Sequence, residues 1–410
     1  MNAEVRTRNA EQKWDAIVVG AGPAGSATAL LLARAGARVL LLDRARFPRD
    51  KPCSEYLSPA TTDVLERLGS GILAAVERTT HARLYGMKVV APGGAAMVGR
   101  FRGSSRPYSF AVPRTSFDAI LVAAAARAGA LVQERTTVEN LVWRDGVVAG
   151  VVARSGNGQR ATCNARVVVG ADGLRSVVAR RLGLVRSSPP RRVAFTAHVA
   201  DVAGVDQFGE LHVGDRGSGY VGLGPVGGGI TTVALVLPLS AVGGGRGRAY
   251  RTDFVAELAR FPGLAGRFDP RRVVREVLAT GPFAQWARVA TRPGALLVGD
   301  AADFFDPFTG QGIYAALRGA ELAAQCLIKA ERGARNAEQA YVRARRREFA
   351  GKWLLERLIG LGIGWPALTD RVVGRLARRP DLADLLVSVT GNVVPAGQVF
   401  TPSVLARLLW

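Results

Sequence analysis

The chain has 410 residues, of which 48% are hydrophobic and 21% charged, so it can bury more than one average core and is not a disordered chain. Lysine and arginine number 55 against 33 aspartates and glutamates, and the net charge is +22. The basic residues are mostly arginines dispersed among small residues, so we expect no nucleic-acid binding but attraction to anionic cofactors or lipid surfaces. The 3 cysteines and 3 histidines are scattered, which predicts no disulfide framework, no metal site and a cytoplasmic location.

The N-terminal segment, residues 1–14, is polar and mixed in charge, so it lacks the apolar region of a signal peptide. No run of about 18 apolar residues occurs, and we therefore expect no membrane-spanning helix. Residues 353–365 are apolar, but Glu356 and Arg357 interrupt them. This stretch predicts a helix that packs on another part of the protein.

Residues 14–20 read WDAIVVG, which is typical of a buried parallel strand, and GAGPAG follows before a helical sequence. In this GxGxxG pattern, Gly20 permits the tight turn, Gly22 lets the backbone approach a pyrophosphate, and Gly25 lets the helix pack on the strand. The next strand ends at Asp43, about 20 residues further on, where an acid can hold ribose hydroxyls. The whole unit predicts a bound dinucleotide with its phosphates at the helix N-terminus.

Two later apolar strands end in acidic glycine motifs. VVVGADGLRS places Asp172 after the first strand, and LLVGDAADFFDPFTGQG places Asp300 after the second. Gly310 and Gly312 remove Cβ atoms where the backbone is expected to lie close to a ligand. The helix predicted over residues 313–324 can direct its positive end towards a reduced flavin. These segments therefore favour a flavin dinucleotide over a nicotinamide one.

GAGPAG, GADGLRS and GDAADFFDPFTGQGI together resemble the motifs of FAD-dependent oxidoreductases of the group A flavin monooxygenase type. The subgroup that includes geranylgeranyl reductases and flavin halogenases is the most similar, because FPRDKPCSEYLSP resembles its FPRxKPCGEGLSP segment. The resemblance covers roughly residues 14–330. It implies an α/β fold in which a Rossmann-like FAD-binding domain, of the glutathione reductase and p-hydroxybenzoate hydroxylase type, carries an inserted antiparallel β-sheet substrate domain. It also implies tightly bound FAD, with NADPH or NADH as a transient reductant.

The resemblance assigns cofactor contacts to individual residues. These are Gly20, Gly22, Ala24, Gly25, Asp43, Arg44, Arg114, Asp172, Asp300, Gly312 and Ile313. The glycines take the pyrophosphate, and Asp43 and Arg44 lie at the adenosine ribose. Arg114 faces FAD ahead of a helix predicted over residues 117–128, which a strand over residues 131–142 follows.

The sequence departs from its relatives at positions where glycine or glutamate is usual. Ser54 and Tyr56 replace two glycines near the expected flavin position, and Gln311 replaces a glutamate that is a candidate proton donor. Tyr56 either orients a phenolic substrate or fills core volume. Cys53 is either a thiol that faces flavin or substrate, or a small apolar residue. Tyr56 and Cys53 are therefore the catalytic candidates. The halogenase marker WxWxIP is absent, which disfavours halogenation.

The pattern predicts a discontinuous FAD-binding domain made of residues 1–85, 108–185 and 283–345. Residues 86–107 and 186–282 are richer in strand patterns and glycine turns, and they predict the substrate domain. Residues 219–238 read as two strands joined by a glycine turn. Residues 346–410 predict a helical cap with breaks at Pro366, Pro380 and Pro395, which either closes the substrate cavity or contacts a membrane surface.

The favoured function is NAD(P)H-dependent monooxygenation, in which molecular oxygen supplies one atom to a hydrophobic phenolic or polyketide-like substrate. The first alternative is reduction of isoprenoid double bonds, as in geranylgeranyl reductases. The second alternative is a flavin-binding protein without catalysis.

Overall fold

The fold comes from a computed structural model that describes residues 13–69, 71–215, 219–243, 250, 252–332 and 336–409. Residues 1–12, for which the sequence predicts no signal peptide, lie outside the described residues. The strands are β1 (Trp14–Val19), β2 (Val39–Leu42), β3 (Tyr56–Leu57), β4 (Ala82–Leu84), β5 (Gly86–Val90), β6 (Ala96–Arg100), β7 (Ser109–Ala111), β8 (Leu131–Gln133), β9 (Thr136–Arg144), β10 (Val147–Ser155), β11 (Arg160–Gly170), β12 (Val185–Ser187), β13 (Arg192–Ala200), β14 (Gly209–Val213), β15 (Tyr220–Gly227), β16 (Ile230–Pro238), β17 (Val273–Thr280), β18 (Gln285–Ala287), β19 (Thr291–Arg292), β20 (Ala295–Leu297) and β21 (Asp303–Phe304).

The helices are α1 (Pro23–Arg34), α2 (Pro59–Leu68), α3 (Ile72–Arg78), α4 (Arg114–Arg127), α5 (Val177–Arg181), α6 (Phe254–Leu258), α7 (Gly312–Glu331), α8 (Ala337–Gly362), α9 (Pro366–Ala377), α10 (Pro380–Thr390) and α11 (Pro402–Leu409). Pro366 and Pro380, two of the prolines expected to interrupt the C-terminal helices, are the first residues of α9 and α10. A proline suits this place because its fixed φ is helical and its missing N–H has no partner in the first turn.

A parallel sheet forms the centre of the larger core. Its order is β19-β20-β11-β1-β2-β8, and every neighbouring pair is parallel except β19 and β20. Ile17 and Leu40 are fully buried within it, as expected of a sheet covered on both faces. β9 and β10 extend β11 as antiparallel strands. This architecture confirms the predicted α/β fold.

The second large sheet has the order β17-β13-β16-β15-β14-β5-β6. It is antiparallel apart from the pair β5 and β14. β15 and β16 pair through a turn in which Gly227, Gly228 and Gly229 have positive φ, which confirms the two strands expected over residues 219–238. Phe254 of α6 belongs to the core on one face of this sheet. Residues of α9 and α10 belong to the core on the other face.

The strand predicted over residues 131–142 is wrong as a single element. β8 pairs with β2, whereas β9 pairs with β10, and the chain changes partner at Arg135. Arg135 has φ +52°, and its N–H donates to the carbonyl oxygen of Ala45 at 3.0 Å. A strand cannot continue through this left-handed residue. The helix expected over residues 117–128 begins earlier, at Arg114.

The C-terminal helices pack on the edge of the second sheet. At Gly99 in β6, a Cβ atom would lie 2.5 Å from the carbonyl oxygen of Ala383 in α10, so only glycine allows this approach. α8 is continuous from Ala337 to Gly362, and the predicted domain boundary at 345/346 lies inside it. The predicted domain ranges as a whole stay a prediction.

Candidate functional site

Three loops meet at the carboxyl ends of β1, β11 and β20. Gly20 follows β1 with φ +96°, and a Cβ atom there would lie 2.7 Å from the Cα atom of Asp172, which follows β11. Gly299 follows β20, and a Cβ atom there would lie 3.0 Å from the Cβ atom of Ala24. Asp300 is the next residue. The structure therefore brings the three motifs of the sequence to one edge of the sheet, where α/β proteins bind ligands.

Two helices present free amide groups at this edge. α1 follows its N-cap, Gly22, and α7 follows its N-cap, Gln311; neither helix has a side-chain cap. Their first N–H groups therefore lack intrahelical partners, and the positive ends of their dipoles attract anions. Gly25 packs α1 so close to β1 that a Cβ atom would lie 1.7 Å from the carbonyl oxygen of Gly20.

Asp43 holds the first loop in shape. Its Oδ2 accepts a hydrogen bond from the N–H of Ala21 at 2.7 Å, and its Oδ1 accepts one from the N–H of Ala45 at 2.8 Å. Each oxygen keeps a second acceptor site, which a ribose hydroxyl can use. Arg44 is exposed beside it.

Asp172 and Asp300 differ in their surroundings. The Asp172 carboxylate accepts hydrogen bonds from the Ser176 hydroxyl and the Val177 N–H, both at 2.6 Å, and so it turns towards α5. Burial raises the pKa of Asp172. Burial also raises the pKa of Asp300, although the positive charges of Lys51 and Arg114 offset part of this rise. Asp300 therefore faces cations in the cleft, whereas the Asp172 carboxylate is occupied within the protein.

A basic cluster lies in the same cleft, and of its members the sequence singled out Arg114 but not Arg49 or Lys51. Buried Arg114 forms two hydrogen bonds with Asp118, at 2.7 and 2.8 Å, and Arg49 lies 3.1 Å from the same carboxylate. Arg49 Nη2 is 3.4 Å from where a Cβ atom of Gly22 would be. Burial and the neighbouring Arg114 lower the pKa of Lys51. Arg49 and Lys51 belong to the FPRDK segment, so their charges are visible in the sequence. Hydrophobic periodicity, however, does not predict where the side chains of a loop lie.

These features fit FAD. The glycines leave room for backbone to approach a pyrophosphate, the two uncapped helix N-termini supply donors, and Arg49 adds positive charge. Gly312 and Ile313 begin α7 at the place expected for the flavin ring. The contacts of individual residues with the cofactor stay predictions.

Gly310 is required by a contact inside the protein, whatever its distance from a ligand. Its φ is +67°, and a Cβ atom there would lie 2.7 Å from Cδ1 of Tyr56. At Gly312 the nearest atom would be 3.6 Å away, which is an ordinary contact. Burial raises the pKa of the Tyr56 phenol, which therefore stays neutral.

Cys53 and Glu55 lie beside this loop. Cys53 Sγ accepts a hydrogen bond from the N–H of Glu55 at 3.3 Å. Glu55 has φ +60°, and its buried carboxylate accepts from the Arg114 N–H at 3.0 Å and lies 2.7 Å from His198 Nε2. Burial would raise the pKa of Glu55, but His198, Thr232 and Arg114 hold it below its usual value. These hydrogen bonds join the loop that contains Cys53 and Glu55 to the second sheet, in which His198 belongs to β13.

An apolar cavity of ≈ 100 Å³ lies between the loop at Gly310, the second sheet and the C-terminal helices. Aliphatic and thioether side chains form the largest group in its lining, and examples are Met87, Val89, Met97, Leu211, Ile359 and Leu386. Tyr56 and Phe308 are the aromatic residues in the lining. Gly222 and Gly224 contribute backbone alone, so β15 leaves space where a side chain would stand.

A carboxyl group from α8 reaches the edge of this cavity. Thr309 lines the cavity, and its hydroxyl donates to Oε1 of Glu356 at 3.2 Å. Nearby Asp303 and Asp306 each pair with a buried arginine. Among the described residues, no lysine or arginine nitrogen lies within ion-pair distance of Glu356. Burial, Asp303 and Asp306 raise the pKa of Glu356 to about 8, and Lys352 offsets part of this.

In the described part of the chain, no helix is long and apolar enough to cross a membrane. Over the same residues, no group of three or more His, Cys, Asp or Glu side chains is placed to hold a metal ion.

A family model described as an FAD binding domain matches residues 13–354. The chain is 31% identical over 393 residues to menaquinone reductase of Mycolicibacterium smegmatis. The aligned region covers 93% of this chain and 92% of that protein. It is 30% identical over 329 residues to digeranylgeranylglycerophospholipid reductase of Methanosarcina mazei, with 78% and 76% covered. A flavoprotein/dehydrogenase from Cytophaga hutchinsonii has the same fold, with a TM-score of 0.82, 24% identity and 96% and 94% of the two chains covered.

The family match extends from β1 into α8, so it includes all three loops at the sheet edge and every strand of the second sheet. It confirms the resemblance that the motifs indicated. The chain therefore belongs to the FAD binding domain family, and it is an FAD-dependent oxidoreductase of the flavoprotein monooxygenase and reductase superfamily.

Proposed function

We propose that this protein uses FAD to reduce carbon–carbon double bonds in a long isoprenoid chain. The observation that carries the proposal is the aliphatic lining of the cavity beside Gly310. A flexible hydrocarbon chain matches aliphatic walls, whereas a flat aromatic ring is better matched by aromatic walls. The relatives named above, a menaquinone reductase and a digeranylgeranylglycerophospholipid reductase, support the same choice.

The cavity has to widen for such a substrate. Its ≈ 100 Å³ is well below the roughly 300–1,000 Å³ of a typical ligand pocket. Met87 and Met97 in the lining are unbranched and can change rotamer at low cost. Gly222 and Gly224 add no side chain that would have to move.

The reaction needs a hydride for one carbon of the double bond and a proton for the other. FAD, when bound and reduced, supplies the hydride. Glu356 holds the proton, because its raised pKa of about 8 keeps the carboxyl protonated at neutral pH. Rotation of the Thr309 hydroxyl lets Glu356 donate to Thr309 Oγ1 while the Thr309 proton points into the cavity. Glu356 then regains a proton from solvent, and a reduced nicotinamide, NADPH or NADH, restores the two electrons.

Anaerobic turnover tests this proposal. The FAD-loaded protein is reduced, mixed with a polyprenyl quinone or a geranylgeranyl lipid without oxygen, and the product is analysed by mass spectrometry. We expect a gain of two hydrogen atoms per double bond reduced. Reoxidation of the flavin by these substrates without any hydrogenated product would contradict the proposal.

The second candidate is monooxygenation of a hydrophobic phenolic or polyketide-like substrate. The observation in its favour is the neutral phenol of Tyr56, which lines the cavity and can orient a second phenol. Aerobic turnover with isotopically labelled oxygen separates the candidates, because only the monooxygenase places one labelled atom in the product.

A further inference from the structure

The exposed face of α8 changes character along the helix. Arg343 and Arg347 are exposed in its first half, and Leu354, Leu358 and Leu361 are exposed in its second half. Successive members of this set are four, seven, four and three residues apart, so all five lie on one face of the helix. The three leucines are 49%, 49% and 56% exposed, respectively. One helix face therefore presents charge and then an apolar surface.

Trp365 extends the apolar surface beyond the end of α8. It precedes α9 and is 69% exposed, the largest exposed fraction among the large apolar side chains of the described residues. We call Leu354, Leu358, Leu361 and Trp365 the apolar face. Exposed apolar residues elsewhere, such as Trp143 and Val274, belong to other elements. A cluster of this kind marks a contact surface, whereas single exposed residues need no explanation.

The charge around the apolar face selects its partner. Between residues 337 and 379, six arginines are exposed, whereas no aspartate or glutamate is. A second copy of this chain would bring like charges together, whereas anionic lipid headgroups complement them. Basic residues beside leucines and a tryptophan are typical of helices that lie in the plane of a membrane interface.

The opposite side of the same helical segment borders the substrate cavity. Ile359 lines the cavity, and Glu356 contacts Thr309 in its wall. A bilayer against the apolar face would therefore lie one helix diameter, about 10 Å, from the cavity.

We propose that the apolar face docks on an anionic phospholipid bilayer, with Arg343 and Arg347 on the headgroup phosphates and Trp365 at the interface. The inference concerns a surface of the protein and does not depend on which reaction occurs in the cavity.

Vesicle binding of the FAD-loaded full chain tests the inference. Sedimentation is compared on vesicles of phosphatidylcholine alone and vesicles in which a third of the lipid is phosphatidylglycerol. The apolar variant combines Leu358→Asp with Trp365→Ser, the basic variant combines Arg343→Gln with Arg347→Gln, and Trp143→Ser is the matched control. All five side chains are exposed, and retained flavin absorbance reports that each variant is folded.

We expect the unchanged protein to prefer the anionic vesicles by about tenfold or more, the basic variant to lose most of that preference, and the apolar variant to weaken binding about tenfold or more. Trp143→Ser should bind like the unchanged protein. Absent binding to anionic vesicles, or equal binding by the apolar variant, would overturn the inference. A dimer in light scattering that only the apolar variant disrupts, without vesicle binding, would also overturn it and assign the face to a second copy.

Discussion

Glu356 gives a prediction about stability that its geometry makes quantitative. The carboxyl has no cationic partner within ion-pair distance among the described residues, and its pKa rises from 4.5 to about 8. In the unfolded chain the same group ionises near pH 4.5, so from there up to about pH 8 the folded state holds a proton that the unfolded state has lost. The folded state is therefore most favoured below pH 4.5, and that advantage is lost as the pH rises through 8.

The size of the effect follows from the two pKa values. At pH 5, ionisation of Glu356 has only begun to stabilise the unfolded state. At pH 7.5 it stabilises the unfolded state by most of the free energy that corresponds to the difference between the two pKa values. Linkage then predicts that ionisation of Glu356 lowers the free energy of unfolding by about 3 kcal/mol between pH 5 and pH 7.5. Lys352, whose pKa falls to about 8, is charged through most of this window and contributes a nearly constant amount.

Glu356→Gln keeps the shape of the side chain and removes the titration. Denaturant unfolding at pH 5, 6, 7 and 7.5, with one fixed concentration of added FAD, gives the free energy for both proteins. We expect the variant to be more stable than the unchanged protein by a margin that grows by about 3 kcal/mol across the series. Glu276→Gln, at an exposed glutamate of β17, is the matched control and should follow the unchanged protein. Parallel pH profiles for the unchanged protein and Glu356→Gln would refute the reasoning.

The other predictions concern the flavin-side loops and the cavity. Gly310→Ala should destabilise the protein by about 1–3 kcal/mol in denaturant unfolding, because alanine disfavours φ +67° and its Cβ atom meets Tyr56; an unchanged midpoint would contradict this. Asp118→Asn leaves buried Arg114 without its charged partner and should cost about 3–5 kcal/mol, with lower FAD content after purification; full retention of both would show that the pair is dispensable. Gly222→Leu places a side chain in the cavity and should reduce turnover of a long isoprenoid substrate at least tenfold, about 1.4 kcal/mol, while flavin absorbance stays normal; unaltered turnover would place the substrate elsewhere.

Features that depend on local backbone were predictable from the sequence. Gly20 and Gly25 read correctly as a tight turn and a close helix contact, because no other residue tolerates φ +96° or a neighbour at 1.7 Å. A short apolar run predicted the buried strand ahead of these glycines. The distance of Asp43 from the glycines in the sequence predicted that its carboxylate lies beside their loop. The FAD assignment was also predictable from the sequence, because each family motif is one short segment that contains both its glycines and its acidic residue.

Contacts between distant segments were not predictable. Glu356 was visible only as an interruption in an apolar stretch, and folding brings it to Thr309, 47 residues away. Glu55 contacts His198, which is 143 residues away in the sequence. Position 310 requires glycine because a side chain there would collide with Tyr56. The strand that appeared continuous over residues 131–142 breaks because its two halves pair with different partners.

The sequence by itself therefore determined the cofactor class and which loops are predicted to hold it, because glycine turns, strand ends and helix starts are set by residues that are neighbours in the chain. The tertiary structure alone decided which side chains line the cavity, where an unpaired carboxyl is kept protonated and which face of α8 remains uncovered. Those properties depend on burial and on the charges of residues far apart in sequence, and hydrophobic periodicity records neither.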